Sequence, residues 1–285
     1  MVFASAGSRV WVTTSRSSAK ARAWRGDPRV AGMVRAGEEA VAFVGRATMY
    51  DLLDAGTWSR SIVESPLLAL AAVRFTRKNA RFFGGYAVDA HRLPLAWTPP
   101  GRVFAELRIE RSALLRDGRV ANASGDWGDE VRGIERFRAS RAGADPFASL
   151  PPDVRDGLER SGRGALALEV ERGPVVLPCS WLIDGAAAYA ALDAEALALA
   201  QTPGTVPAAL GVDRPSSWRA RAMVGAMIRG AGEVVVGSQL GSGHASFERI
   251  ARSAGIDPSH GALVRIRPRS LVWWRGWESG TERPG

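Results

Sequence analysis

The sequence predicts a mainly β protein with a few helices, built as two tandem halves. Short stretches in which apolar and polar residues alternate recur along the chain, as in Val103, Ala105, Leu107 and Ile109 interleaved with Phe104, Glu106, Arg108 and Glu110. That period of 2 is the signature of a strand with one wet face. From about Arg138 the composition shifts to RASRAGADPFASLPPDVRDGLERSGRG, whose Gly, Pro, Ala and Ser content marks a linker. The segments on either side read alike when overlaid: Thr14 falls near Leu192, Gly45 near Gly225, and the strand after Gly101 near the strand after Gly261. We therefore expect a first half over residues 1–137, a linker over 138–161 and a second half over 162–285. At 285 residues, the chain is long enough for each half to bury its own core.

The first half opens on RVWVTTSRSSAKARAWRGDPRV, Arg9 to Val30. Val10, Val12 and Thr14 alternate with Trp11 and Thr13 as a half-buried strand. Ser17 or Ser18 caps a helix over roughly Ala19 to Arg25, which Gly26 closes and Pro28 keeps from continuing. Val30 to Val34 and Ala40 to Tyr50 read as strands around a turn at Ala36-Gly37-Glu38. An inserted helix starts at Ser65 and Pro66 and runs to Gly84-Gly85 as a stop. Leu68, Ala71, Ala72 and Phe75 form its apolar face, while Arg74, Arg77, Lys78 and Arg81 make the other face basic. Such a face is usually just solvated, with Lys78 and Arg81 as the candidates to reach an anionic ligand.

One short helix is expected in the linker after Pro152. The second half begins with Ala165 to Val170 and Val175 to Ile183, a hairpin about Arg172-Gly173-Pro174, in which Pro178 puts its strand at an edge or a bulge. A strand at Ala186 to Leu192, a helix at Asp193 to Gln201 and an alternating strand from Arg219 to Ile228 follow. A helix from about His244 to Ala254 precedes the closing strands Leu263 to Arg267 and Leu271 to Trp274.

Composition excludes several functions. The formal charge is +9, yet the arginines are interleaved with Asp and Glu and form no basic block, so no nucleic-acid partner is expected. No apolar run reaches the ~18 residues of a membrane span, and no membrane partner is expected. The start, MVFASAGSRV, lacks the basic n-region of a signal peptide. Cys179 is the only cysteine, so an intrachain disulfide and a zinc or redox cysteine pair are both excluded, and a reducing cytoplasm fits. In its apolar strand Cys179 reads as a buried, inert thiol. His91, His244, His260 and Cys179 form no triad, metal spacing or Cys–His pair, so no metal is expected and no catalytic acid or base is assigned.

Chemistry concentrates at the first strand–helix junction. A helix start there combines backbone N–H groups, the positive end of the helix dipole, the hydroxyls of Ser17 and Ser18 and, in the first turn, Lys20. Such a set suits a phosphate. A solvated helix that happens to carry a lysine is the alternative. However, of 38 basic residues only Lys20 and Lys78 are lysines, so a compact ammonium at this position stands out.

Thr14, Ser18 and Lys20, in the spacing T-x-x-x-S-x-K, followed by Arg22 and by DPRV (Asp27 to Val30), resemble the cofactor-phosphate motif of the pyridoxamine 5'-phosphate oxidase-like, FMN-binding split-barrel proteins of the flavin/deazaflavin oxidoreductase superfamily. The context is similar too: VAGMVRAGEEAVAFVGRATMYD, Val30 to Asp51, has that family's apolar strand, charged hairpin and second strand ending near a glycine.

The resemblance implies two tandem split β-barrels packed as a pseudo-dimer within one chain, with a monomeric protein as one expectation. It implies FMN, or alternatively the deazaflavin coenzyme factor 420, held by its phosphate at Thr14, Ser18 and Lys20 with Ser17 and Arg22 nearby. Contacts to the ring are expected from the second half, with Trp273, Trp274 and Arg221 the main candidates beside Trp218 and Trp277; barrel packing is the ordinary role of any one tryptophan. The implied activity is oxidoreduction of a small organic substrate. A non-catalytic sensor or store of flavin or haem, with a histidine as haem ligand, and an interaction module with an empty site are the other readings. The family also places a helix, a first strand and most of a second ahead of this stretch, and residues 1 to 8 leave no room for them. Val2 to Ala4 is the expected stump of that second strand, so the family's basic cofactor contact there has no counterpart. In the second half Asp193 and Glu195 occupy the first helical turn, where carboxylates repel a phosphate, so one cofactor site per chain is expected.

Overall fold

The computed structural model describes residues 3–6, 9–51, 53–88, 101–127, 144–202, 204–214, 216, 220–236, 248–250, 256 and 260–284. By packing they fall into two compact units, neither continuous in sequence. One comprises Met1–Val30, Val44–Glu110 and Ser216–Ala222; the other comprises Ala31–Phe43, Arg111–Pro215 and Met223–Gly285. The expected helix from His244 to Ala254 falls largely outside the described residues, of which 248–250 are helical. His91, His244 and Trp218 also lie outside them.

Six strands of the first half form an antiparallel sheet. They are β1 (Phe3–Ala6), β2 (Arg9–Ser15), β3 (Arg29–Ala36), β4 (Glu39–Tyr50), β5 (Arg102–Arg116) and β6 (Arg119–Ser124), in the order β1-β2-β5-β4-β3 with β6 on β5. Helix α1 (Ala19–Gly26) follows β2, while α2 (Trp58–Val63), α3 (Ser65–Lys78) and α4 (Ala80–Val88) form an insertion between β4 and β5.

The insertion explains a departure from the alternating pattern. β2 is buried on both faces: Val10 and Val12 point one way, and Trp11, fully buried, points the other. Trp11 stacks on Phe104 at 5.2 Å, lies 5.8 Å from Tyr50 and is covered by Leu67, Leu68 and Ala71 of α3. For the same reason the face of β5 expected to be wet is partly covered. Glu106 is buried, 3.1 Å from the Tyr50 hydroxyl and 3.1 Å from Arg9, and Tyr50 also bonds Glu64. Ala72, assigned to the apolar face, is exposed. Glu64 rather than Ser65 is the residue before α3, and Pro66 is accommodated in its first turn. Gly84 and Gly85 do not stop the insertion; they lie inside α4.

The second half contains α5 (Pro152–Arg155), β7 (Ser161–Val170), β8 (Gly173–Asp184), β9 (Ala187–Asp193), α6 (Ala194–Ala198), β10 (Thr205–Arg214), β11 (Val224–Val236), β12 (Gly261–Arg275) and β13 (Glu278–Glu282). The order β11-β10-β7-β8-β9-β12, with β11 also paired to β12, closes a six-stranded antiparallel barrel, and β13 extends from β12. Strict burial alternation along β8 puts Val175, Leu177, Cys179, Trp181 and Ile183 on one face. β9 is buried on both faces, since Tyr189 and Ala191 pack with Val235, Leu263 and Ile250. Pro178 lies within the barrel, not at its edge; the β8–β9 register starts at Ser180–Ala191, so the missing N–H falls where pairing with β9 has not begun. The closing pair of strands is one strand, β12, with a register shift opposite Arg229 and Gly230. Arg221 sits in a 3-10 turn, Ala220–Ala222, ahead of β11, rather than in the strand.

The halves repeat strand for strand. β8 to β13 without the intervening helix correspond to β1 to β6, and both sets pair in the same order. Two hydrogen bonds fix the register: Arg16 N–H donates to Gly101 O, and Ala194 N–H to His260 O. Ser15 pairs with Arg102 as Asp193 pairs with Gly261, so Thr14 does correspond to Leu192. Gly45, however, corresponds to Gly230 and not to Gly225. A Cβ on Gly45 would overlap the carbonyl of Arg108, and one on Gly230 that of Arg267, each six residues after the paired position. β7 stands between β10 and β8 and closes the second barrel. Among the described residues no strand stands between β3 and β1, so the first sheet is the same barrel left open.

Candidate functional site

The site is built where β2 turns into α1. Thr14 is buried at the end of β2, and its hydroxyl bonds the Ser18 hydroxyl at 3.0 Å. Ser18, extended at φ −64° and ψ 153°, caps α1 by accepting the Ala21 N–H at 3.1 Å. Ser17 is exposed and shares a 3.1 Å hydrogen bond with Ser15. Arg22 turns back to donate to the Ser17 carbonyl, which holds the loop but points its charge along it. Lys20 is exposed in the first turn. Lost hydration lowers its pKa from the usual 10.5, and the Arg102 guanidinium lowers it further. The ammonium is thus poorly hydrated although the residue as a whole is exposed.

Two residues not singled out in the sequence complete the arrangement. Arg102, at the start of β5, donates to the Thr13 hydroxyl at 2.8 Å and to the Thr13 carbonyl at 2.9 Å, which places a second cation beside Lys20. Asp51, buried at the end of β4, lies 2.6 Å from Arg16 and 3.1 Å from Arg25, and Arg25 also donates to the Arg16 carbonyl at 3.2 Å. The carboxylate thereby pins both the turn and the helix that follows it. Only strand register brings Arg102 to Thr13; for Asp51 the available signal was an acid closing an apolar strand in an arginine-rich chain.

In the second half, the same positions carry different chemistry. Thr14 is replaced by Leu192 and Arg102 by Gly261. Asp193 itself caps α6, accepting the Glu195 N–H at 2.9 Å, so the helix starts at Ala194, the equivalent of Arg16, without the three-residue turn that separates strand from helix in the first half. A cavity of about 340 Å³ beside Leu192 and Asp193 is lined by Arg35, Arg119 and Arg163 as well as Glu38 and Asp117. Its charges balance, with Arg163 paired to Glu38 at 2.6 Å.

The other candidates lie apart from this loop in sequence. Trp273 and Trp274 are consecutive on β12, so they point to opposite faces and cannot both stack on one ring. Trp273 covers Gly280 and donates to Glu282 at 3.2 Å; Trp274 covers Gly225. Arg221 is exposed and packs with the first unit. Trp277 occupies the β12–β13 turn. Lys78 sits over the Phe3 ring at 3.3 Å. The Cys179 thiol is pushed up to about 12 by burial, so it is neutral and unreactive at neutral pH.

The chain resembles pyridoxamine 5'-phosphate oxidase-like split-barrel proteins. No family model matches the sequence, nor does any curated protein. Among solved structures it is similar to a haem-binding protein from Mycobacterium smegmatis, at 20% identity and a TM-score of 0.36, over 52% of this chain and 60% of that one. It is also similar to a Clostridium acetobutylicum protein related to general stress protein 26, of the pyridoxinephosphate oxidase family, at 14% identity and a TM-score of 0.31, over 43% and 86% of the two chains. A third is an FAD-binding protein from Mesorhizobium loti, at 15% identity and a TM-score of 0.33, over 46% and 94%. The alignment thus spans about three fifths of the M. smegmatis protein. These likenesses concern fold, and the architecture stands on the strand order given above.

Proposed function

We propose that the chain binds a flavin-type cofactor by its phosphate and acts as an oxidoreductase on a small organic substrate. The observation that carries this reading is the Thr14–Ser18 hydroxyl pair at the start of α1 with Lys20 and Arg102 beside it. Hydroxyl donors, two cations and a helix N-terminus suit the donor needs of a phosphate, which FMN offers as a monoester and the deazaflavin coenzyme as a diester. In this reading the hydroxyl pair of Thr14 and Ser18 donates its free hydrogen to a phosphate oxygen, Lys20 and Arg102 balance the charge, and Asp51 holds the loop through Arg16 and Arg25. A flavin, when bound, supplies the redox chemistry, and the protein supplies position and electrostatics.

The test is the visible spectrum of freshly purified protein and of its extracted chromophore, followed by titration of the stripped protein with FMN and with the deazaflavin. A flavin-type chromophore is expected. Lys20→Ala should weaken binding by about 1.5–3 kcal/mol, one to two decades, with circular dichroism unchanged. A Soret band, or titrations that Lys20→Ala leaves untouched, would overturn the reading.

A further inference from the structure

The insertion between β4 and β5 carries a second surface on which the cofactor reading does not depend. Of the eight large apolar side chains that stand exposed among the described residues, seven lie between Leu53 and Val88. Trp58 is 53% exposed, Ile62 72%, Val63 80% and Val73 65%. Loose packing does not explain this, because the opposite side of α3 is seated: Ala71 and Phe75 are buried, and Leu67 and Leu68 pack toward Trp11. Helical spacing then puts Pro66, Leu70, Val73 and Arg77 on one outward stripe, with Arg74 flanking it. α3 is therefore apolar on two sides, one inside the protein and one facing water.

Charge identifies what this face suits. From Trp58 to Val88 the sequence has five basic residues and a single acid, Glu64, a net +4 of the chain's +9 in 31 residues. Glu64 is hydrogen-bonded to Tyr50. Two copies of such a face would oppose like charges, which disfavours self-association. A helical surface with bulky apolar groups beside arginines matches a lipid interface, where apolar side chains enter the acyl boundary and arginines meet the headgroups.

We propose that the exposed face of α2 and α3 docks on an anionic bilayer surface. The sequence argued against a membrane partner from the lack of a spanning segment, and among the described residues no helix is long and apolar enough to cross. Surface attachment requires neither.

The full chain should be sedimented with vesicles of phosphatidylcholine alone and of phosphatidylcholine mixed equally with phosphatidylglycerol. Partitioning onto the mixed vesicles should be about thirtyfold stronger, the gain expected from two arginines near an anionic surface, and should fall as salt rises. Arg74→Gln with Arg77→Gln should remove most of that preference. Ile62→Ser with Val73→Ser should weaken binding to both vesicles; these side chains are exposed, so circular dichroism should be unchanged. Absence of binding, or binding that neither pair of substitutions alters, would overturn the proposal. So would a dimer in light scattering that Ile62→Ser with Val73→Ser dissolves while vesicle binding is absent, since the face would then be an interface between copies.

Discussion

Lys20 is the residue at which the proposed phosphate site can be tested by pH. Its pKa in the folded protein lies below the usual 10.5, because burial and Arg102 both disfavour the charged form. Between that lowered value and 10.5 the unfolded chain holds the proton more tightly, so the lysine's contribution to stability rises with pH through this window. A bound phosphate acts in the opposite sense, since it favours the ammonium. Affinity for FMN should therefore fall as the pH climbs from neutral toward the usual 10.5, with an earlier onset than an ordinary lysine would give. The phosphate is already fully ionised across that range and does not contribute. Lys20→Arg, whose guanidinium does not titrate there, should flatten the profile. Titrations of the unaltered protein that show no alkaline decline would contradict the placement of Lys20 at the phosphate.

At the scale of elements, three glycines separate what a strand crossing needs from what a helix tolerates. Gly45 in β4 and Gly230 in β11 lie where a long strand passes against the backbone of β5 or β12, and a side chain there would strike a carbonyl. Gly45→Ala and Gly230→Ala should each destabilise by about 3 kcal/mol or more, because a backbone cannot step aside as a flexible side chain can. Gly84 is in α4 with nothing near the position of its Cβ. Gly84→Ala should stabilise by about 0.5–1 kcal/mol by restricting the unfolded chain. Chemical denaturation of the three variants checks both signs, and a neutral Gly230→Ala would count against the register that pairs it with Gly45.

At the scale of the whole molecule, the repeat is one in which pairing order was kept and site chemistry was not. With Leu192 for Thr14, Gly261 for Arg102 and no counterpart of the Arg16–Ser18 turn, the second half lacks the donors that a phosphate needs. Titration should accordingly saturate at one cofactor equivalent per chain, and a clean value of two would refute this. Much of the architecture was legible without coordinates, because strand alternation, a capping serine and a turn glycine act over a few neighbouring residues. That is why β8, the start of α1 and the Thr14–Leu192 correspondence could be read directly. Arg102 and Asp51 could not, since each reaches the loop through strands distant in sequence. Nor could the two buried faces of β2, or Gly230 as the partner of Gly45. Periodicity reports which side chains share a face; what packs on that face, and which strand lies beside it, depends on chain closure that no local pattern encodes.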